Sequence, residues 1–162
     1  MEAAPRRLLA PRNRSHDVDS AFGTFYCRAV DRQRLGTWGV FLFAAAAAVG
    51  IFFQLFFIGA YIFGESDALD VHKDLGKLVH LCYVLTFVAA LVGSWPNWRS
   101  TAWAFALAVL GSIQAFLAGG GSDVSGWVHA FHAALVPLVF LLAVRIALRA
   151  RDELGRSSPA PA

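Results

Sequence analysis

Two histidines, His72 and His132, are the residues of this chain best suited to chemistry. Each lies near the start of an apolar stretch, and they are 60 residues apart. Ionisable side chains are costly inside a bilayer, so a histidine within an apolar helix is by itself a functional hypothesis. Imidazole suits iron well, and two neutral imidazoles from facing helices are a common axial pair for a b-type haem. The pair therefore predicts a haem iron, or another metal centre, ligated by His72 and His132.

Further candidates for the same cofactor site lie close to this pair in the sequence. His80 follows His72 by eight residues, which places both on one helix face about 12 Å apart. His129 precedes His132 by three residues, so these two are neighbours on one face. A glycine one turn beyond His72 would let a flat porphyrin approach the backbone, and a lysine could pair with a propionate. The remaining candidate cofactor contacts are Gly76, Lys73, Gln54 and Gln114.

Other interpretations of these polar residues stay open at the level of sequence. A histidine or glutamine at a helix interface can hydrogen-bond a neighbouring helix and have no further role. Counting back from the ends of the apolar runs places His80, rather than His72, level with His132. A version with two haems would use all four histidines.

The elements that must position these residues are long apolar helices. The chain has 162 residues, of which 57% are apolar and 15% charged. Apolar runs of about 18 residues or more are typical of membrane-spanning helices, and four occur, at 37–63, 71–93, 101–118 and 127–147. We therefore predict an all-α, four-span transmembrane bundle over 37–148, with a basic, flexible arm at 1–36 and a flexible tail at 149–162.

Charge placement predicts how this bundle is oriented. All twelve arginines lie in residues 1–36, at Arg99 between the second and third runs, or from Arg145 onward. The connections after the first and third runs have no arginine and hold acidic residues such as Glu65 and Asp123. The positive-inside rule then places both termini in the cytoplasm. The net charge of +3 reflects this asymmetry and indicates contact with anionic lipid headgroups, not with nucleic acid.

An internal repeat connects the two histidines. A shift of 60 residues aligns the first helical hairpin with the second, and both contain the pattern Gln-x4-Gly-x12-His. Two hairpins of the same orientation form a parallel repeat about an axis along the membrane normal. Spans 2 and 4 are then parallel, so His72 and His132 are expected at similar depth near the outer surface. The identities include Trp38/Trp98, Gln54/Gln114, Gly59/Gly119 and His72/His132.

The motifs around both histidines resemble those of a known family. They are His72-Lys-x-x-Gly76 at the head of span 2, and Gln114-x4-Gly119 before His132-Ala-Ala-Leu135. Together they resemble one four-helix half of the haem A synthase family, and more loosely cytochrome b561-type membrane haem proteins and small uncharacterised four-span proteins of bacteria. The first resemblance implies haem ligands on the second and fourth helices, at His72 and His132. It covers residues 38–144.

The chain also departs from the haem A synthase pattern. Members of that family have eight spans, and their motif has a glutamate three residues before the second-helix histidine, where this chain has Leu69. Asp70 lies nearby but one step round the helix. The resemblance thus supports haem binding and not the synthase reaction.

These observations predict a small integral-membrane haem b protein in a bacterial inner membrane. Its role would be electron transfer, for example with quinol or within a larger membrane complex, or haem handling, rather than independent enzyme activity. No nucleophile elbow or dinucleotide-binding motif occurs in the sequence. The alternative is a non-catalytic accessory subunit of a membrane complex, in which the histidines serve only helix packing.

Overall fold

The computed structural model describes residues 15–93, 98–119 and 125–156, with side chains from Arg32 onward. Four helices occupy these ranges, and the described residues contain no strand. All four are long and apolar enough to cross a membrane, which confirms the all-α fold with four spans and makes the chain an integral membrane protein. The helices are α1 (Ser15–Ile62), α2 (Ala68–Gly93), α3 (Trp98–Ala118) and α4 (Gly126–Arg156).

Two helices extend beyond the predicted boundaries. The segment 1–36 was expected to be a flexible arm, yet it is helical from Ser15, and α4 continues to Arg156 instead of ending near 148. A polar residue ends a membrane-spanning run but does not end a helix, and the sequence has no proline between Pro11 and Pro96 to do so. The remaining parts of the predicted arm and tail, 1–14 and 157–162, lie outside the described residues.

Consecutive helices pack antiparallel, as the short connections predict. In the middle of α1, just before the first apolar run, a Cβ on Gly36 would collide with the backbone of Gly93 at the end of α2. Further along the helix, Gly50 of α1 lies directly against Val79. Glycine at such crossings lets two helix backbones approach closely, so these contacts set the register of the first hairpin.

The turn between α1 and α2 is closed by a Schellman motif. Gly64 adopts a left-handed φ of +111°, and its N–H donates to the carbonyl oxygen of Tyr61 at 3.1 Å. The N–H of Glu65 donates to the carbonyl oxygen of Ala60 at 3.0 Å. This pattern satisfies carbonyl groups that the end of a helix leaves unpaired, and it sends the chain directly back into α2.

Helix α3 lies between α2 and α4. It contacts both neighbours along its length, whereas α2 and α4, which are described throughout, have no pair of Cα atoms within 8 Å of each other. The rings of Phe87 on α2 and Phe105 on α3 are 5.4 Å apart, and the guanidinium of Arg145 on α4 lies over the ring of Trp103 on α3. The helices that carry His72 and His132 are therefore not in direct backbone contact.

The core of the bundle consists largely of small residues. Ala44, Ala47, Ala104 and Ala143 are completely buried, which is typical of membrane helices that pack by close backbone approach. Most large apolar side chains instead lie on the outer surface, with Phe52, for example, 62% exposed. In a spanning helix such side chains face lipid, so this surface is expected for an integral membrane protein.

The buried positions follow the 60-residue repeat. Residues 60 apart occupy equivalent places in the core, so the repeat seen in the sequence is also a repeat of packing. The matched buried pairs are Ala44/Ala104, Ala47/Leu107, Val79/Val139, Tyr83/Ala143, Thr86/Ile146 and Ala90/Ala150.

One core contact breaks this symmetry. The ring of Tyr83 on α2 lies in the space above Gly111 of α3, which a Cβ at that position would occupy. The equivalent residues in the other half are Ala143 and Ile51, so the large and small side chains are exchanged. Such alternation of large and small residues fills the space between facing helices without a void.

Candidate functional site

His72 is held by the helix that precedes it in the chain. Its ring lies in the second turn of α2 and is partly buried, and its Nδ1 is 3.0 Å from the backbone carbonyl oxygen of Gln54 on α1. A carbonyl oxygen can only accept a hydrogen bond, so Nδ1 carries the proton and donates it. The lone pair of Nε2 then remains as the free acceptor of the imidazole.

His132 is held in the same way in the second hairpin. Its Nδ1 is 2.8 Å from the backbone carbonyl oxygen of Gln114 on α3, and in both halves donor and acceptor are 18 residues apart. A histidine that ligates a metal through Nε2 commonly donates its Nδ1–H to a backbone carbonyl, which fixes the tautomer and the ring orientation. In its neutral form, an imidazole that donates through Nδ1 keeps a lone pair on Nε2, which is what ligation through Nε2 requires.

The glutamine side chains differ between the two halves. An added Cβ at Gly76 would lie 3.0 Å from the amide Nε2 of Gln54, so the missing side chain at Gly76 leaves room for that amide. We expected Gly76 to admit a porphyrin, but Gln54 lies in this space. In the second half the position of Gly76 is taken by Val136, and Gln114 is only 8% exposed.

The repeated glycines are open rather than packed. A Cβ added at Gly59, inside α1, would meet no atom within 4 Å, and one at Gly119 would meet only backbone oxygens of its own chain segment. Gly119 directly follows the end of α3, whereas its partner Gly59 lies within α1. Among the described residues, no side chain of a neighbouring helix packs against either glycine.

Lys73 lies on the exposed side of α2. Its Nζ is 3.1 Å from Oδ1 of Asp70, and Lys77 pairs with Asp74 at 2.7 Å in the same way. Exposed ion pairs of this kind contribute little to stability, because water screens them. An incoming carboxylate can therefore replace Asp70 as the partner of Lys73 at small cost.

His80 and His129 do not share the arrangement of the other two histidines. Their equivalents in the repeat are Phe140 and Leu69. His129 is exposed. The Nδ1 of His80 is buried without a hydrogen-bond partner in the described part of the chain. The two hydrogen bonds to glutamine carbonyls thus make His132 equivalent to His72, and not to His80.

The donor set suits a metal that brings its own further ligands. Within the described ranges, no group of three or more His, Cys, Asp or Glu side chains is placed to hold a metal ion. Two histidines alone do not complete the four-coordinate site that zinc prefers. They can complete an iron centre whose other four ligands are the nitrogen atoms of a porphyrin.

Two features of this geometry were not predicted from the sequence. One is the pair of backbone acceptors for the histidines, for which the 18-residue spacing from glutamine to histidine was the only signal. The other is a cleft at the opposite end of the bundle, near Trp103 and Arg145. That cleft brings together residues from all four helices, so no single stretch of sequence contains its pattern.

Comparison with known proteins finds one similar family, and the function of that family is unknown. The chain matches no curated protein and no solved structure. One family of proteins matches a part of the chain that includes Gln54, His72 and Gln114 but ends before His132. This match covers fewer than half of the 162 residues. Over residues 54–123, the chain is similar to a family of unknown function, DUF6220.

Proposed function

We propose that this chain is an integral-membrane haem-binding protein in which His72 and His132 would hold one b-type haem through their Nε2 atoms. The observation that carries the proposal is the repeated hydrogen bond from histidine Nδ1 to a backbone carbonyl oxygen. This hydrogen bond leaves the Nε2 atom of each histidine available as a ligand. The two histidines occupy equivalent positions of α2 and α4, which are not in direct backbone contact. A metal bound between two imidazoles needs such a separation.

The surrounding residues favour one haem over two. Only His72 and His132 recur in the repeat with the same partner, whereas His80 and His129 have Phe140 and Leu69 as equivalents. Lys73 is the residue that would pair with a propionate, by exchanging its exposed contact with Asp70. Gln54 and Gln114 contribute their carbonyl oxygens, which hold the imidazoles in one tautomer. Their side-chain amides have no assigned role towards the cofactor.

A haem in this position supplies one-electron transfer, and the protein's part is to bind and orient it. We place the chain in electron transfer, with quinol or a larger membrane complex as partner, or in haem handling. Independent enzyme activity is not part of the proposal. A bacterial inner membrane is the proposed location, on the composition and charge placement described above.

Visible spectra of the purified protein test haem binding directly. We expect a Soret band, with sharp α and β bands after reduction by dithionite, when the full chain is expressed with haem supplied and purified in mild detergent. A colourless preparation that is folded by circular dichroism would reject the proposal. It would favour the alternative in which the histidines only join helices of an accessory subunit.

The orientation is a separate proposal with its own test. An even number of spans favours both termini on the same side, and the positions of the arginines favour the cytoplasm as that side. A cysteine introduced at Ser66, between α1 and α2, should react with a membrane-impermeant maleimide in intact cells. A cysteine at Ser157 should react only after the cells are permeabilised, and Cys27 and Cys82 are replaced by serine in both variants. The opposite labelling pattern would invert the topology.

A further inference from the structure

A cleft that is largely apolar but contains two arginines lies at the end of the bundle opposite to His72 and His132. All four helices line it, through the middle of α1, the end of α2, the start of α3 and the C-terminal part of α4. At its base is a cavity of about 30 Å³, which is space for about two water-sized atoms. A whole headgroup does not enter such a cavity, but the oxygen atoms of one phosphate group do. The side chains that matter are Ser100, Trp103, Arg145, Arg149 and Glu153.

The guanidinium groups of Arg145 and Arg149 in this cleft have N–H donors that contacts with the described residues do not use. The guanidinium of Arg145 lies 4.8 Å from the centre of the Trp103 ring, and the described part of the chain gives it no acidic partner. Arg149 contacts Glu153 at 3.3 Å through Nε alone. A guanidinium offers five N–H donors in a planar fork that suits phosphate oxygens, so both arginines can bind an anion in the arrangement they already have.

The first turn of α3 adds a second source of attraction. Ser100 is the third residue of this helix, and the first backbone N–H groups of a helix have no partner within it. Together with the helix dipole they favour a bound anion. Ala90 and Ala150 are nearly completely buried beside the cleft, and their small side chains leave room for the ligand.

The location of the cleft identifies the source of the phosphate. Arg145 lies where the last apolar run ends, which is the depth of lipid headgroups. Basic pockets between spanning helices at this level are suited to anionic lipids. The described residues at this end of the bundle include two acidic side chains, Asp152 and Glu153, and seven arginines, at positions 32, 34, 99, 145, 149, 151 and 156.

We propose that this cleft is a specific site for the phosphate of an anionic phospholipid, bound by Arg145 and Arg149 with Trp103 holding the guanidinium of Arg145 in place. The proposal does not depend on haem. Such a site would make the protein selective for one class of lipid at one position on its surface. This selectivity is distinct from the general attraction between a basic protein surface and an anionic membrane.

Native mass spectrometry of the purified full chain in detergent tests this site. We expect phosphatidylglycerol to bind in preference to phosphatidylcholine, and Arg145→Gln to weaken that binding roughly five-fold, as expected for one interfacial arginine. Arg151→Gln removes the same charge from an exposed residue paired with Asp152 and is the matched control. It should leave the affinity unchanged.

A second variant distinguishes loss of lipid binding from loss of folding. Arg145→Lys keeps the charge but loses the planar fork and should also weaken binding. Equal losses in Arg145→Gln and Arg151→Gln, or equal binding of the two lipids, would overturn the proposal. Displacement of the lipid by excess inorganic phosphate would also overturn it, because the site would then be one for free phosphate.

Discussion

Replacement of either His72 or His132 by alanine is expected to abolish the spectrum of a six-coordinate low-spin haem. Each variant would remove one of the two proposed Nε2 ligands and leave the other in place. The sharp reduced α band should disappear in both single variants, and the double variant should retain little or no haem. The measurement is the oxidised and reduced visible spectrum, with haem content per protein determined after extraction.

The matched control for this experiment is His80→Ala. His80 lies on the same helix as His72 and is also partly buried, but it has neither a carbonyl partner nor a histidine equivalent in the second half. His129→Ala is the corresponding control for His132. Both controls should keep the spectrum. If the bands survived without His72 but disappeared in His80→Ala, haem binding would stand and the ligand assignment would be wrong.

Rescue by a free ligand would separate a lost iron bond from a lost fold. His72→Gly and His132→Gly leave a gap of imidazole size, so added imidazole should restore the low-spin spectrum in each. A variant that is merely misfolded would not recover. Failure of rescue in both variants, with the helix content unchanged, would count against axial ligation by these two residues.

The second large effect is expected at Gly111. A Cβ at this position would overlap the ring of Tyr83, which is itself buried between α2 and α3. Adding one methyl group to a well-packed core costs about 1–3 kcal/mol, so Gly111→Ala should lower the free energy of unfolding by that amount. The measurement is unfolding of the purified protein in mixed detergent, followed by circular dichroism.

Two further variants sharpen this prediction. Gly59→Ala makes the same chemical change in α1, where no atom of the described residues lies within 4 Å of the added Cβ, and should stabilise the protein by up to about 1 kcal/mol, because alanine is the better helix former. In Gly111→Ala combined with Tyr83→Ala, the added methyl group meets no ring, so the double variant should cost less than the sum of the two single changes. Additive losses would show that Tyr83 and Gly111 are not coupled.

The membrane-spanning core could be predicted from the sequence because its length is set by the bilayer. A spanning helix needs about 20 apolar residues, and the four apolar runs lie within the four helices except for Phe63, which follows the end of α1. The true ends of α1 and α4 could not be predicted in this way, since hydropathy detects where lipid ends and not where a helix ends. The segments 15–36 and 149–156, which carry many charged residues, continue their helices beyond the apolar runs.

The repeat of 60 residues was also evident in the sequence, and with it the equivalence of His72 and His132. Residue spacing can be read directly from a linear sequence. The partners of these histidines depended on the tertiary structure. A backbone carbonyl has no side-chain identity, so only the crossing of two helices shows that Gln54 and Gln114 accept the hydrogen bonds.

The sequence by itself thus determined four spans, their duplication and the candidate pair of histidines, because hydrophobic length and residue spacing are properties of a linear chain. The tertiary structure decided the tautomer of each imidazole, the place of Gln54 against Gly76, and the cleft around Arg145. Each of these depends on which helices touch and at what height. That is set by close contacts such as Gly36 with Gly93 and Tyr83 with Gly111, which join residues far apart in the chain.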